Sequence, residues 1–327
     1  ITEIKIKENF IKDLNEGEHK LTILYEKYGE SGPEPSNITL IVKDYFDIYN
    51  TETGKTLEDF AREAKTHPAI SGKLMEDVVL NSDGFYLNEE NKLLYGGIQV
   101  DSGNSPKEWE PIGDESSQYA GTFDGGGHTI TGMYVNISTE DYIGLFGYIG
   151  AKGVVQNVGI ENGYIEGKDF VGSICGINGG TIQNCYNTGF IKGTNNIGGM
   201  CGQNNGKITN CYNTRAITGT DNIGGVCGRN EGTITTCYNT GTVTAAGSSV
   251  GGVCGQNYRG TIENCYYNTE ICQEKEAVGD GSTGNSTNVT GLTTTQMTGI
   301  ENSSADDGSK RCLLYTSPSP RDRTRSR

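Results

Sequence analysis

The segment VGSICGINGGTIQNCYNTGFIKG, residues 171–193, decides the fold, because close copies of it follow one another along the chain. Related segments begin at Ile143, Ile197, Ile223 and Val250, at steps of 26 to 28 residues. Each holds three short apolar runs separated by glycine or asparagine, a pattern typical of one turn of a parallel β-solenoid. Helical repeats need a 3.6-residue apolar period, and propeller blades need about 40 residues. The sequence therefore predicts an all-β fold, a right-handed parallel β-solenoid (β-helix) of about five coils with three strands in each.

The composition of the chain agrees with a turn-rich β protein and restricts its partners. Of its 327 residues 49 are glycine and only 33% are hydrophobic, and the net charge is −15. An acidic body argues against a nucleic-acid partner, because phosphate binding needs clustered Lys and Arg. No stretch approaches about 18 consecutive apolar residues, so no membrane insertion is expected. A solvated acidic protein suits an extracellular location.

The residues before the repeats show two other patterns. Alternating runs such as HKLTILY (19–25) and NITLIV (37–42) predict strands of a partial Ig-like β-sandwich at the N-terminus. The segment TLEDFAREAK (56–65) predicts an amphipathic helix, with Thr56 as its cap and Asp59 completing a capping box. A single helix just before a repeat array is suited to cover the open end of a solenoid.

The end of the chain departs from the character of its body. Five of the nine arginines fall at 311–327, and SPSPRDRTRSR (317–327) resembles the read-through translation of a sequencing linker. A basic interaction tail is the alternative. The chain begins without Met or a signal peptide, so we expect a fragment of a longer product. The predicted divisions are 1–45, a partial Ig-like β module; 46–104, a helix-bearing cap and lead-in; 105–272, the solenoid repeats; 273–311, a linker with a truncated closing segment; and 312–327, a non-native tail.

Eight of the ten cysteines recur once per coil in two columns. The first column is Cys175, Cys201, Cys227 and Cys254, and the second is Cys185, Cys211, Cys237 and Cys265. The first repeat carries Phe146 and Val158 at the corresponding places, which indicates apolar interior positions where free Cys acts as a small hydrophobe. Zinc sites use cysteines about two to four residues apart, and the spacing here is 10 or 11. We favour buried thiols, with disulfides between stacked coils as the alternative.

The residue before each cysteine of the second column predicts a bend in the strand. Ile182 and Cys185 are three residues apart, so both can face the core only if the chain bends at Asn184. Asparagine tolerates left-handed backbone, and its amide can bond to the same residue of the next coil. The predicted structural ladder is Asn157, Asn184, Asn210 and Asn264, with Thr236 as the exception.

The tyrosine after each of these cysteines is expected to point outward, by strand alternation. The candidate binding face is Tyr186, Tyr212, Tyr238 and Tyr266. One interpretation is structural, in which stacked rings tie adjacent coils together. The other is functional, in which an exposed aromatic strip contacts a glycan or a partner protein.

The repeats resemble those of a known family. The units that begin VGSICG, IGGMCG and VGGVCG, and the IGLFG of Ile143–Gly147, resemble the GLUG-motif repeat of bacterial surface proteins. That repeat occurs in the non-catalytic region of IgA-specific metallopeptidases. The segments 109–135 and 291–299 look like the family's lead-in and its linker after the array. The resemblance implies an exported protein, from a Gram-positive gut bacterium, and it does not identify a ligand.

No catalytic or cofactor motif is found. None of His19, His67 and His128 lies in the H-E-x-x-H pattern of a metallopeptidase. The glycine-rich GTFDGGGHTITG (121–132) lacks the lysine of a phosphate loop, and the acids within the coils are scattered. We therefore predict no catalytic, cofactor-binding or metal-ligating residue in this chain.

The predicted function is a non-catalytic extracellular repeat segment of a bacterial surface protein, acting as an adhesin-like binding module or a spacer. Its expected partner is a glycan or a host or surface protein. One alternative is the accessory stalk of a surface peptidase or glycosidase whose catalytic domain lies outside these residues. A glycan-active β-helix enzyme is the third hypothesis.

Overall fold

The computed structural model describes residues 17–23, 36–42, 45–50, 54–88, 92–100, 105–272 and 276–298. The chain forms two compact units, Ile1–Phe46 and Asp47–Arg327. In the first unit, strands Gly17–Ile23 and Ser36–Val42 pair antiparallel, with Leu21 opposite Ile38. Most of the predicted Ig-like module and the whole of 312–327 lie outside the described residues, so both assignments stay predictions.

The second unit is an all-β parallel β-solenoid, which confirms the predicted fold class. One coil runs through Cys175–Asn178, Thr181–Gln183, Tyr186–Asn187, Phe190–Lys192 and Asn195–Gly198. The stacks that these five strands form are called columns a, b, c, d and e, in that order. The prediction of three strands per coil was wrong. The apolar run 171–176 is divided between the end of a column e strand and the start of a column a strand. The two-residue strand Tyr186–Asn187 of column c joins the parallel ladder without an apolar run.

The strands of each column pair side by side in parallel. Column a contains Phe146–Ile149, Cys175–Asn178, Cys201–Asn204, Cys227–Asn230, Cys254–Asn257 and Val278–Asp280. Column b contains Tyr45–Ile48, Ser71–Leu74, Thr122–Asp124, Val154–Gln156, Thr181–Gln183, Lys207–Thr209, Thr233–Thr235, Thr261–Asn268 and Asn285–Leu292. Column c contains Val78–Val79, Thr129–Thr131, Gly159–Glu161, Tyr186–Asn187, Tyr212–Asn213, Tyr238–Asn239 and the second half of Thr261–Asn268. Column d contains Tyr134–Asn136, Tyr164–Glu166, Phe190–Lys192, Ile217–Gly219 and Val243–Ala245. Column e contains Asp169–Val171, Asn195–Gly198, Asp221–Gly224 and Val250–Gly251.

The solenoid is longer than the repeats indicate. Column b alone holds nine described strands, so the unit has about nine layers rather than the predicted five. The additional layers include Ser71–Leu74 and Thr122–Asp124 before the repeats and Asn285–Leu292 after them. Ser71–Leu74 and Thr122–Asp124 lack the cysteine and asparagine that mark the repeats, and Asn285–Leu292 keeps only the bend asparagine, Asn288, so periodicity did not find these layers. At about 4.8 Å per layer the column is roughly 40 Å tall.

Helix α1, Leu57–Thr66, packs against the early layers. Thr56 caps it as predicted: its hydroxyl accepts from the Asp59 amide at 3.2 Å, and Asp59 Oδ2 accepts from the Thr56 amide at 3.0 Å. The buried face of α1 includes Phe60, whose ring lies 5.5 Å from Phe123 and 6.2 Å from Tyr119. The helix therefore covers apolar side chains of these layers that no preceding coil covers.

The remaining elements are a small sheet and two short helices. Strands Phe85–Leu87, Leu93–Tyr95 and Ile98–Gln99 form a small antiparallel sheet, and the ring of Phe85 stacks 5.3 Å from Tyr134 of column d. Two short helices, α2 (Thr269–Cys272) and α3 (Thr294–Thr298), flank the last strand of column b. Cys272 and Met297 of these helices are buried.

Candidate functional site

The two cysteine columns fill the interior of the repeats. Cys175, Cys201, Cys227 and Cys254 pair in register in column a, and the nine cysteines among the described residues are all buried thiols. The sulfur atoms of Cys201 and Cys227 are 3.7 Å apart, a contact without a covalent bond. Burial raises the pKa of the Cys227 and Cys254 thiols well above the usual value. In the layer before them Phe146 stands opposite Cys175, so the position is an apolar one.

The bend before the second cysteine column has left-handed backbone. The φ angle is 55° at Asn157, 54° at Asn184, 53° at Asn210 and 55° at Thr236. The amide of Asn184 donates to Asn157 Oδ1 at 2.9 Å, and that of Asn210 donates to Asn184 Oδ1 at 3.3 Å. Beyond Thr236 the bonding resumes, because Asn288 donates to Asn264 Oδ1 at 3.1 Å. These contacts join consecutive coils along the outer edge of columns b and c.

Sequence reasoning missed two further asparagine ladders that lie inside the solenoid. They end the strands of columns a and c: the first is Asn178, Asn204, Asn230 and Asn257, and the second is Asn187, Asn213 and Asn239. In both ladders each side-chain amide donates to Oδ1 of the next coil at 2.8 to 2.9 Å. The signal was present in the sequence, since asparagine recurs three residues after the cysteine of column a and two after that of the second cysteine column. Every buried amide of these ladders is thereby used in holding coils together.

The tyrosines of column c stack on one another. The ring centroids of Tyr186 and Tyr212 are 5.0 Å apart, those of Tyr212 and Tyr238 are 4.8 Å apart, and both pairs are within 4° of parallel. Tyr238 is followed in register by Tyr266. Tyr212, Tyr238 and Tyr266 are half-buried. Burial raises the pKa of the Tyr238 phenol, and the neighbouring Tyr212 adds to the shift.

Tyr186 does not belong to an exposed strip. It is only 4% exposed, because its ring lies over Gly159 of the preceding coil, where a side chain would collide with it. Its hydroxyl donates to Glu161 Oε1 at 2.5 Å. The exposed part of the predicted face therefore begins at Tyr212. The missing side chain at Gly159 is the sequence signal that could have shown this.

The glycine-rich segment 121–132 forms a local turn between columns b and c. The amide of His128 donates to the Gly125 carbonyl at 2.8 Å, and the amide of Gly126 donates to Asp124 Oδ1 at 2.9 Å. The His128 ring lies 3.5 Å from Asp77 at the surface. Among the described residues, no group of three or more His, Cys, Asp or Glu side chains is arranged to hold a metal ion. Within the same ranges, no helix has both the length and the apolar character needed to cross a bilayer.

Comparisons with known proteins agree with this geometry. The model of the GLUG motif matches residues 219–244 and 246–267. A protein of Evansella cellulosilytica provisionally named a Gly-rich membrane protein is 44% identical over 79 residues, 23% of this chain and 9% of that protein. Halomucin of Haloquadratum walsbyi is 30% identical over 121 residues, 36% of this chain and 1% of halomucin. This chain thus corresponds to a small part of either relative.

A solved structure shares the fold. The crystal structure of a protein of Bacteroides ovatus, provisionally named an immunoglobulin A1 protease, superposes with a TM-score of 0.52 at 21% identity. The match covers 74% of this chain and 76% of that one. At this identity the similarity establishes the architecture alone. The chain is a parallel β-solenoid protein that carries GLUG-motif repeats.

Proposed function

We propose that this chain is a non-catalytic, extracellular repeat segment of a bacterial surface protein, and that it binds a partner through the outer surface of its coils. In doing so it also acts as a spacer, since about nine stacked layers make a rod. The partner is a glycan or a surface protein.

The observation that carries this proposal is that some side chains of each repeat face the interior of the solenoid and others face its outer surface. The isoleucines, cysteines and buried asparagines that define the motif face inward and are occupied in contacts between coils. The outward position of column a changes from Ile177 to Gln203 to Arg229 in successive coils. In contrast, a tyrosine recurs in register in column c, buried at Tyr186 and partly exposed at Tyr212, Tyr238 and Tyr266. A recurring outward side chain is what a repeated contact with a partner requires.

The relatives support an exported location. One carries a name that describes a membrane protein, and the other is named halomucin. The acidic charge of the chain suits a solvated surface.

The alternative function is the accessory stalk of a surface peptidase or glycosidase. It is favoured by the shared fold with the Bacteroides ovatus protein provisionally named a protease. A zinc-binding H-E-x-x-H motif encoded in the same gene would favour this alternative. A cell-wall sorting signal without a catalytic motif would favour the binding module.

The proposal is tested by adhesion of coated beads. Beads carrying the full chain are passed over immobilised mucin, epithelial cells and bacterial cell walls, with albumin-coated beads as the control. We expect retention on at least one surface. Retention equal to that of the albumin beads on all of them would contradict a binding role and leave the spacer role alone.

A further inference from the structure

Three consecutive coils present an outer surface without a charged side chain. The segments QNCYNT (183–188), TNCYNT (209–214) and TTCYNT (235–240) run around the bend between columns b and c, where the first exposes three positions and the other two expose four each. The set, called the neutral face, is Gln183, Asn184, Thr188, Thr209, Asn210, Tyr212, Thr214, Thr235, Thr236, Tyr238 and Thr240. Every member carries a hydroxyl or an amide, groups that both donate and accept hydrogen bonds.

The eleven side chains form a grid because the coils stack in register. Gln183, Thr209 and Thr235 pair along column b. The tyrosines pair along column c, and the threonines two residues later follow them. The hydroxyls of Thr209 and Thr235 are within 2.9 Å of each other. Polar groups therefore repeat along the solenoid axis at the coil spacing, about 4.8 Å.

The tyrosines contribute their edges to this grid and not their faces. The Tyr212 ring is covered on one side by Tyr186 and on the other by Tyr238, at nearly parallel orientation. A sugar ring stacks on an aromatic face, and here both faces of the central ring are occupied. A ligand on the neutral face must be recognised by hydrogen bonds.

The charge around the grid selects the ligand further. Glu161 lies beside the first coil of the grid and Glu263 extends column b beyond Thr235, in a chain whose net charge is −15. Arg215, which follows the grid residue Thr214, has its guanidinium 4.1 Å above the Phe190 ring of column d. Lys207 is the exposed cation next to the grid in column b. Glu161 and Glu263, at the two ends of the grid, repel a polyanion. A polycation finds no carboxylate within the grid with which to form an ion pair.

We propose that the neutral face binds an extended, uncharged polysaccharide, whose hydroxyl groups follow the coils along columns b and c. This inference rests on the proposed binding function and names its ligand class. Repeated hydroxyls of such a polymer meet repeated hydroxyls and amides of the protein, and neither side buries a charge.

The experiment is affinity electrophoresis of the full chain in native gels. The gels contain one polymer each: barley β-glucan, xylan, galactomannan or dextran as uncharged polymers, and polygalacturonate as the anionic one. We expect retardation by at least one uncharged polymer and none by polygalacturonate. The retardation should persist from about 0.05 M to about 0.5 M NaCl, because contacts without ion pairs are not screened.

Two variants locate the site. Thr214→Glu places a carboxylate in the grid, and Thr244→Glu places one on an exposed position of column d in the next coil. Thr214→Glu should raise Kd for the retarding polymer at least about tenfold, because the charge must be desolvated on binding. Thr244→Glu should leave Kd unchanged. Circular dichroism and the melting temperature verify that both variants stay folded.

The outcomes separate this inference from the proposed function. Bead adhesion without retardation by any uncharged polymer overturns the polysaccharide inference and leaves the binding function intact. Retardation by polygalacturonate alone overturns it as well. Equal effects of Thr214→Glu and Thr244→Glu place the contact elsewhere and overturn the assignment to the neutral face.

Discussion

The early layers and the cysteine coils follow the same backbone path but fill it differently. In the early layers aromatic rings dominate: Phe146 lies 4.7 Å from Tyr119 and 5.6 Å from Phe123, and Phe60 of α1 reaches Phe123. In the cysteine coils the position of Phe146 holds Cys175 and its successors. There the remaining interior is mostly isoleucine and asparagine, together with Met200, Val226 and Val253.

The difference follows from what each region must contact. An inner coil has an identical coil on both sides, so identical small side chains and amide ladders stack at the coil spacing. An early layer has a helix on one side, so large rings of different orientation fill an irregular space. Periodic sequence therefore marks the interior of the array, and its end is built by residues that do not repeat. Four experiments sharpen this contrast.

The largest effect is expected from alkaline pH, which should act on the cysteine coils. Despite burial, hydrogen bonds with Cys185 and Cys237 lower the pKa of the Cys211 thiol. Burial raises the pKa of five other column thiols: Cys185, Cys201, Cys227, Cys237 and Cys254. The folded state therefore holds these protons above about pH 8.5, where unfolded thiols release them, and stability is full below that pH and falls as pH rises. Each such thiol lowers the unfolding free energy by up to about 1.4 kcal/mol per pH unit.

The measurement is urea unfolding followed by circular dichroism at about pH 8 and about pH 9.5, where a tyrosine of ordinary pKa is still about three-quarters protonated. Fluorescence of Trp109, the single tryptophan, reports the early layers separately, since its indole donates to the Leu145 carbonyl. A double variant, Cys201→Val with Cys227→Val, should show a shallower fall. Equal stability at the two pH values would contradict the role of the buried thiols.

Ile208→Asp should be the most damaging single substitution. Ile208 is fully buried between Ile182 and Ile234 of neighbouring coils. An unpaired carboxylate at this place should cost at least about 4 kcal/mol of unfolding free energy. Lys207→Asp on the exposed side of the same strand is the matched control and should change stability by less than about 0.5 kcal/mol. Similar melting temperatures for the two variants would show that the interior of column b is wrongly assigned.

The two kinds of asparagine ladder should differ in strength. Asn204→Ala removes a fully buried amide that accepts from Asn178 and donates to Asn230, both at 2.8 Å. It should cost about 2–4 kcal/mol, because buried partners lose their bonds. Asn210→Ala, at the exposed bend, should cost about 1–2 kcal/mol, because water replaces part of the loss. Chemical denaturation of both variants measures the order, and a larger cost for Asn210→Ala would reverse the ranking of buried and exposed ladders.

The smallest effect is expected from Cys211→Val. Val158 stands at the equivalent place in an early coil, immediately before Gly159, which pairs with Tyr186. A substitution of similar volume should cost less than about 1.5 kcal/mol. The Cys211 sulfur also accepts weakly from the Cys185 amide at 3.5 Å. A cost above about 3 kcal/mol in thermal or urea unfolding would show that the column needs sulfur itself, and the equivalence with the early coils would fail.

The repeat was enough to predict the solenoid, the two cysteine columns and the bend residues. Spacing of 26 to 28 residues and the apolar first repeat, with Phe146 and Val158, carry that information locally. The buried ladders that begin at Asn178 and Asn187 were also visible as recurring letters. They were overlooked because a buried amide is only favourable once its partner in the next coil is known.

What the sequence by itself determined is the motif of one coil, because stacking identical coils needs identical residues at identical steps. The number of layers and the two columns beyond the predicted three were decided by tertiary contacts. The strands Ser71–Leu74 and Asn285–Leu292 join the stack by backbone hydrogen bonds, which require no particular side chain. The burial of Tyr186 depends on Gly159, 27 residues earlier in the chain and one coil away in space. The contact between Tyr186 and Gly159 cannot be read from the sequence alone, because it forms only when two coils stack on each other.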